Sequence, residues 1–172
     1  MTAGAGASTR LRLLYAAPTA VVVLAVDQVA ELLVRTALPI CHQYPIVSCV
    51  REHLGPIPLV RMQNSGTGYL AFRDPTLAAG LGLLGCLLVI VYAAWLRRVT
   101  WVAALGVGLQ LGGALGNLLD RLLAGEVTDY VNVSPTFTFN LADLFLLVGM
   151  VLAVAGIARA LAAPSWRDPA QR

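Results

Sequence analysis

The 172-residue sequence contains no lysine, only two histidines and few charged residues of any kind. Charged residues make up 12% of the chain, whereas soluble domains carry about 25%. Without lysine there is neither a Ser-Lys dyad nor a Schiff base, and His42 and His53 share one segment and form no zinc-binding helix motif. Acid–base chemistry in this chain therefore falls to aspartate and glutamate.

Apolar residues make up 58% of the chain and are gathered into four long runs. A bilayer core about 30 Å thick needs a helix of about 20 apolar residues. We therefore predict one all-α membrane domain over residues 1–172, with transmembrane helices at about 13–34, 76–96, 99–121 and 139–161. The first run is expected to be a retained helix and not a cleaved signal peptide, because Asp27, Gln28 and Glu31 interrupt it.

The segment between the first two helices, about residues 35–75, contains several prolines and short β-prone pieces such as 57–62. This composition predicts a small β-rich extracytoplasmic platform resting on the membrane. Cys41 and Cys49 lie close together within it. A disulfide and a pair of free thiols both remain open for them.

The arginines are distributed unevenly between the two sides of the predicted bundle. One side carries seven arginines and one aspartate, and the other carries five arginines and eight acidic residues. Because cytoplasmic loops hold the excess of arginine, both termini are expected to be cytoplasmic. The composition and topology predict a multi-pass membrane protein that contacts lipid.

Polar residues lie at one depth in three of the predicted helices, near the outer face. They are Asp27 and Glu31 in the first helix, Asn117, Asp120 and Arg121 in the third, and Asn140 and Asp143 in the fourth. Charges within a membrane helix are costly and need a reason. Spacings of three and four residues place Asn117 on one helix face with Asp120 and Arg121, and Asn140 with Asp143.

Asp129 is the expected partner of Asp143. It lies in the segment 125–138, which we predict to be a short re-entrant or surface loop joining the third and fourth helices. A turn through Asn132, Ser134 and Pro135 would fold Asp129 back against Asp143. Two carboxyl groups held that close share a proton, so that one acts as a base on water and the other as an acid.

Two other interpretations fit the polar residues taken alone. Asn, Asp and Arg at helix ends also serve as interhelical contacts or interface anchors. A small transporter or proton relay is a further alternative, although its carboxylates would be expected near the bilayer midplane.

Four blocks of sequence, in order, resemble the lipoprotein signal peptidase (signal peptidase II) family. The matching blocks are Asp27-Gln28 for D-Q-x-x-K, 64–69 for N-x-G-A-A-F, 116–121 with 125–130 for G-N-x-x-D-R and G-x-V-x-D-F, and 139–143 for F-N-x-A-D. The last two blocks are highly specific, and together the four span most of the chain.

The resemblance implies an aspartyl endopeptidase in which Asp129 and Asp143 are the catalytic pair. It also implies that a further set of residues binds substrate or supports the site: Asp27, Asn64, Gly66, Asn117, Asp120, Arg121, Asn140 and Ala142. The implied reaction removes the signal peptide of a diacylglyceryl-modified prolipoprotein just before its lipidated cysteine. No metal and no organic cofactor is implied. The resemblance also implies a monomer of the bacterial cytoplasmic (inner) membrane that binds no nucleic acid and has its active site at the outer face.

The chain departs from the family pattern at two places. Glu31 stands where the family usually has lysine, and Thr67, Gly68 and Tyr69 replace a run of small residues and phenylalanine. These departures keep open a diverged paralogue with a changed substrate preference, or an inactive relative. We expect Glu31 to form a salt bridge with Arg35, four residues later, or with Arg121.

Overall fold

The computed structural model describes residues 12–42, 49, 52–66, 74–95 and 100–162. In this part of the chain four helices are long and apolar enough to cross a membrane. A π-helical turn, Arg12–Ala16, leads into α1, Ala17–Ala37, and the other helices are α2, Pro75–Trp95, α3, Trp101–Ala124, and α4, Leu141–Ala162. The prediction of a four-helix membrane protein is confirmed. The departure at Thr67–Tyr69 lies outside the described residues.

Local sequence sets the ends of the helices. The side chain of Thr100 accepts a hydrogen bond from the Ala103 backbone N–H at the start of α3, and Gly125 ends that helix with φ at 76°. Asn140 precedes α4, and its Oδ1 accepts the backbone N–H of Asp143 at 2.9 Å. These caps fix where the third and fourth helices begin and therefore where their polar residues lie.

Helix α3 is the centre of the bundle. In its most apolar stretch 67% of the residues are buried, against 22% for α2 and α4. Small residues on α3 allow close approach of its neighbours: Gly106 lies against Gly149 and Ala153 of α4, and Gly112 lies against Val23 of α1. The outward sides of the other helices carry exposed leucine and valine, which suits contact with lipid.

The extramembrane part is a five-stranded sheet that draws on two separate regions of sequence. Its strands are β1, Ile40–Cys41, β2, Glu52–Leu54, β3, Ile57–Asn64, β4, Val127–Ser134, and β5, Phe137–Phe139. The order is β1-β3-β4-β5, and β2 also pairs with β3. Strand β3 runs antiparallel to both β2 and β4, and parallel to β1.

The prediction of a loop over residues 125–138 is wrong. Most of this segment forms β4 and β5, and β4 lies at the centre of the sheet beside β3. The expected turn is present between the two strands, where Asn132 donates hydrogen bonds to the backbone carbonyls of Ser134 and Phe137. Asp129 is therefore held by strand pairing, with Met62 of β3 directly opposite it.

Cys41 and Cys49 are joined by a disulfide, with their Cα atoms 5.6 Å apart. Cys41 belongs to the small core beneath the sheet, with Val60 and Met62. Of the two alternatives left open by the sequence, the structure therefore has the disulfide.

Candidate active site

Asp129 is buried within the sheet and is held by Asn64. Met62 and Asn64 lie on the same face of β3, so Asn64 is the diagonal neighbour of Asp129 across the two strands. Asn64 Nδ2 donates to Asp129 Oδ2 at 3.0 Å. Burial, and then the negative charge of Asp143, raise the pKa of Asp129 from 3.8 to about 7. Asp129 is thus a carboxyl group that holds its proton up to about neutral pH.

Asp143 lies in the first turn of α4 and is exposed. Asn117 of α3 donates to Asp143 Oδ1 at 2.9 Å, and Asn140 donates to Asn117 Oδ1 at 2.7 Å. Asn117 and Asn140 are both buried. The side-chain amides of Asn117 and Asn140 therefore fix the exposed carboxylate of Asp143 at the start of α4.

Arg121 connects the residues around Asp129 with those around Asp143. Its guanidinium donates to the backbone carbonyl of Asn117 at 3.0 Å and to that of Gly66 at 3.3 Å. The Gly66 N–H in turn donates to Asn64 Oδ1 at 3.1 Å. Asp129 and Asp143 are therefore connected by a continuous chain of hydrogen bonds and backbone through Asn64, Gly66, Arg121 and Asn117.

Asp27 fixes the start of α4 from the side of α1. Its Oδ1 accepts the Ala142 backbone N–H at 2.9 Å, and the carboxyl group is fully buried. Gly116 leaves the space for this contact, since a Cβ there would collide with Asp27 Oδ2. Ala142, also fully buried, precedes Asp143, so Asp27 orients the turn that carries it.

A second polar group lies next to the first, around Asp120. Gln28 Nε2 and Arg35 NH2 both reach Asp120 Oδ1 at 3.2 Å, and Arg35 NH2 also contacts Glu31 Oε2 at 2.8 Å. The expected salt bridge of Glu31 is thus with Arg35, whereas Arg121 binds the backbone carbonyls described above. Glu31 and Asp120 are both about 1% exposed. In this cluster Arg35 provides the positive charge that faces two buried carboxyl groups.

The structure places all ten site residues predicted from the sequence in these two adjoining groups. Sequence reasoning missed Thr128, and it treated Gln28 only as part of a matching block and Arg35 only as a partner of Glu31. Thr128 accepts a hydrogen bond from Arg35 Nε at 2.8 Å. The position of Thr128 beside Asp129 in the chain was the one available signal for it. Among the described residues, no three His, Cys, Asp or Glu side chains are grouped so as to hold a metal ion.

Comparisons with known proteins agree on one family. The model of the family described as Signal peptidase (SPase) II matches residues 19–159. The lipoprotein signal peptidase of Caulobacter vibrioides is 40% identical over 106 residues, which cover 58% of this chain and 62% of that protein. That of Sinorhizobium fredii is 36% identical over 137 residues, which cover 74% of this chain and 76% of the relative.

Solved structures show the same fold. One described as a bacterial membrane enzyme superposes with a TM-score of 0.69 at 20% identity and covers 95% of this chain and 94% of its own. A second, with the same description, gives a TM-score of 0.65 at 23% identity. The arrangement of four membrane helices and a small sheet is therefore shared with known membrane enzymes. Since the family model covers most of the sequence, this bacterial multi-pass membrane protein belongs to the signal peptidase II family.

Proposed function

We propose that this chain is an aspartyl endopeptidase that removes the signal peptides of diacylglyceryl-modified prolipoproteins, cutting just before the lipidated cysteine. One observation carries the proposal. A buried aspartate on β4 and an exposed aspartate on α4 are connected through hydrogen-bonded Asn64, Arg121 and Asn117. That constellation suits a pair of carboxyl groups that divide the work of acid and base.

Asp129 is the acid in the proposed reaction and Asp143 is the base. Asp143 takes a proton from a water molecule, whose oxygen attacks the carbonyl carbon of the scissile peptide while Asp129 protonates the carbonyl oxygen. When the tetrahedral intermediate collapses, the C–N bond breaks, the amine leaves with the proton held by Asp143, and Asp129 recovers its own. The raised pKa of Asp129 and the exposure of Asp143 support this assignment.

The substrate assignment rests on the relatives, which are named lipoprotein signal peptidases. A prolipoprotein brings acyl chains and an apolar signal helix, and the outward sides of this bundle are rich in exposed leucine and valine. Such a substrate reaches the enzyme within the bilayer, so lipid is the second partner that we propose. We propose a single copy of the chain as the working unit, because the hydrogen-bonded path between Asp129 and Asp143 is complete within it.

The proposal is tested by complementation. We expect this chain to restore release of signal peptides in a bacterium that lacks its own signal peptidase II. Accumulation of uncleaved prolipoprotein, with the chain present in the membrane fraction, would contradict the proposed function.

The sheet and the active site are proposed to lie on the outer face of the inner membrane, with both termini in the cytoplasm. The disulfide between Cys41 and Cys49 supports this orientation, because disulfides persist outside the cytoplasm. In intact cells, a membrane-impermeant thiol reagent should label Cys49, the more exposed of the two cysteines, only after reduction. Alkaline phosphatase fused after Arg172 should be inactive, since that enzyme also needs an oxidising compartment. An active fusion would reverse the proposed orientation.

Cleavage is expected to fall as the pH rises through about 7, because Asp129 then loses the proton that it donates. Purified enzyme in detergent with a lipopeptide substrate provides the measurement, as a profile of kcat against pH. A kcat that stays constant well above neutral pH would contradict the role of Asp129 as the acid.

The same raised pKa predicts how stability depends on pH. Asp129 titrates at 3.8 ordinarily and at about 7 in the folded protein. Its contribution to the free energy of unfolding is therefore complete below pH 3.8 and is lost as the pH rises through about 7. Asp129→Asn removes that ionisation, so thermal unfolding of this variant should depend less on pH than unfolding of the wild type.

A further inference from the structure

Arg35 lies in the last turn of α1 and joins three elements of the fold. Its NH2 contacts Glu31 of its own helix at 2.8 Å and Asp120 of α3 at 3.2 Å. Its Nε donates to Thr128 Oγ1 of β4 at 2.8 Å. One side chain therefore ties two membrane helices to the central strand of the sheet.

The guanidinium of Arg35 is oriented by Glu31 and Asp120, which contact its NH2. Glu31 and Asp120 are both buried, and hydrogen bonds from a charged donor such as a guanidinium are shorter and stronger than those between neutral groups. The backbone of the same turn is fixed as well, since Arg61 of β3 donates to the carbonyl oxygens of Arg35 and Leu38. Arg35 is thus a preorganised donor whose Nε points at β4.

Thr128 immediately precedes Asp129 in β4. Successive residues of a strand point to opposite faces of the sheet. Arg35 therefore holds the strand from one face while Asn64 holds the Asp129 carboxyl group on the other. Pairing of Thr128 with Gln63 fixes the strand in the plane of the sheet. On the face of Thr128, Tyr130 also packs against Val34 and Leu38, so what Arg35 adds there is a directed hydrogen bond to the residue next to Asp129.

We infer that Arg35 is a positioning residue for Asp129, and that it acts through Thr128 while Glu31 and Asp120 orient its guanidinium. The inference rests on the proposed function, because its effect is on the alignment of Asp129 with Asp143. It assigns to Glu31 the role of holding the arginine that anchors the strand. A misplacement of about 1 Å costs about 10²-fold in rate, so a single hydrogen bond to the neighbouring residue is able to govern turnover.

The test compares two substitutions of Thr128. Thr128→Val has nearly the same shape but accepts no hydrogen bond from Arg35, whereas Thr128→Ser keeps the hydroxyl. We expect Thr128→Val to lower kcat by about 10- to 100-fold with KM little changed, and Thr128→Ser to retain most of the wild-type kcat. Arg35→Lys keeps the positive charge but lacks the Nε donor, so it should behave like Thr128→Val.

Lipopeptide cleavage by purified protein in detergent gives kcat and KM, and thermal unfolding gives the folded fraction of each variant. Equal kcat for Thr128→Val and wild type would overturn the inference. So would a loss of kcat that matches the loss of folded protein, an equal loss in Thr128→Ser, or a change in KM alone. If the wild type itself does not cleave the lipopeptide, the proposed function fails, and that result is separate from any difference between variants.

Discussion

Asp129→Asn and Asp143→Asn, each made alone, are expected to reduce prolipoprotein cleavage by about 10²- to 10⁴-fold, the usual contribution of a positioned acid or base. Asparagine has nearly the same shape as aspartate, so each variant keeps an oxygen that accepts from the amide of Asn64 or Asn117 and changes the packing little. In the first variant the acid no longer donates its proton to the carbonyl oxygen. In the Asp143→Asn variant, no carboxylate remains to take a proton from the attacking water.

Asp74→Asn is the matched control for these two variants. Asp74 is exposed at the start of α2, and its carboxyl group accepts the Thr76 backbone N–H at 2.8 Å. Asparagine caps helices about as well as aspartate, so this variant should cleave like the wild type. The measurement is signal-peptide release in membranes that contain equal amounts of each variant and of the wild type. Cleavage at the wild-type rate by either dyad variant would remove the basis for an aspartyl mechanism.

Gly106→Ala is expected to destabilise the bundle strongly. A Cβ at Gly106 would lie 2.5 Å from the backbone nitrogen of Ala153 and 2.6 Å from the carbonyl oxygen of Gly149. Both atoms belong to the backbone of α4, so relief requires the two helices to separate. Overpacking of this kind costs about 1–3 kcal/mol and occasionally more, despite the higher helix propensity of alanine. Thermal unfolding in detergent should show a lower midpoint.

Gly80→Ala provides the comparison, because among the described atoms nothing lies within 4 Å of a Cβ built at Gly80. It is the same substitution within a membrane helix, so it should leave the midpoint unchanged or raise it slightly. Equal midpoints for the two variants would show that the close approach of α3 and α4 does not limit stability.

The sequence predicted the helices well because their signal is local. Each apolar run is long enough to span a bilayer by itself, and the ends are marked by residues such as Thr100 and Gly125. Facing residues within one helix were also predictable, since spacings of three and four place Asn117 beside Arg121 and Asn140 beside Asp143. The bonds from Arg121 to the Asn117 carbonyl and from the Asp143 N–H to Asn140 fit that reasoning.

Strand β4 was missed because its signal is not local. Thr128, Asp129 and Asn132 interrupt its valines, and nearby turn residues favour a loop interpretation. What makes it a strand is β3, which is more than sixty residues earlier in the chain: Asn64 and Asp129 are 65 residues apart. Patterns within one segment carry no information on such a partner. The contact between Arg35 and Thr128, 93 residues apart, was hidden for the same reason.

The departure at Glu31 illustrates a similar limit. The family pattern that the sequence resembles implies a reversal of charge at this position, but it does not show which groups surround it. In the fold, Arg35 lies one turn further along α1 and brings its positive charge to Asp120 and Glu31 together. Glu31 therefore faces the positive charge of a neighbour on its own helix.

The shared sheet limits how this protein can be recombined with its relatives. Strands β1 to β3 come from the region between α1 and α2, while β4 and β5 come from the connection between α3 and α4. A chimera that exchanges the first region alone would replace Asn64, the strand that pairs with Asp129 and the arginine that caps α1. Functional chimeras of this chain should therefore carry both regions from the same parent.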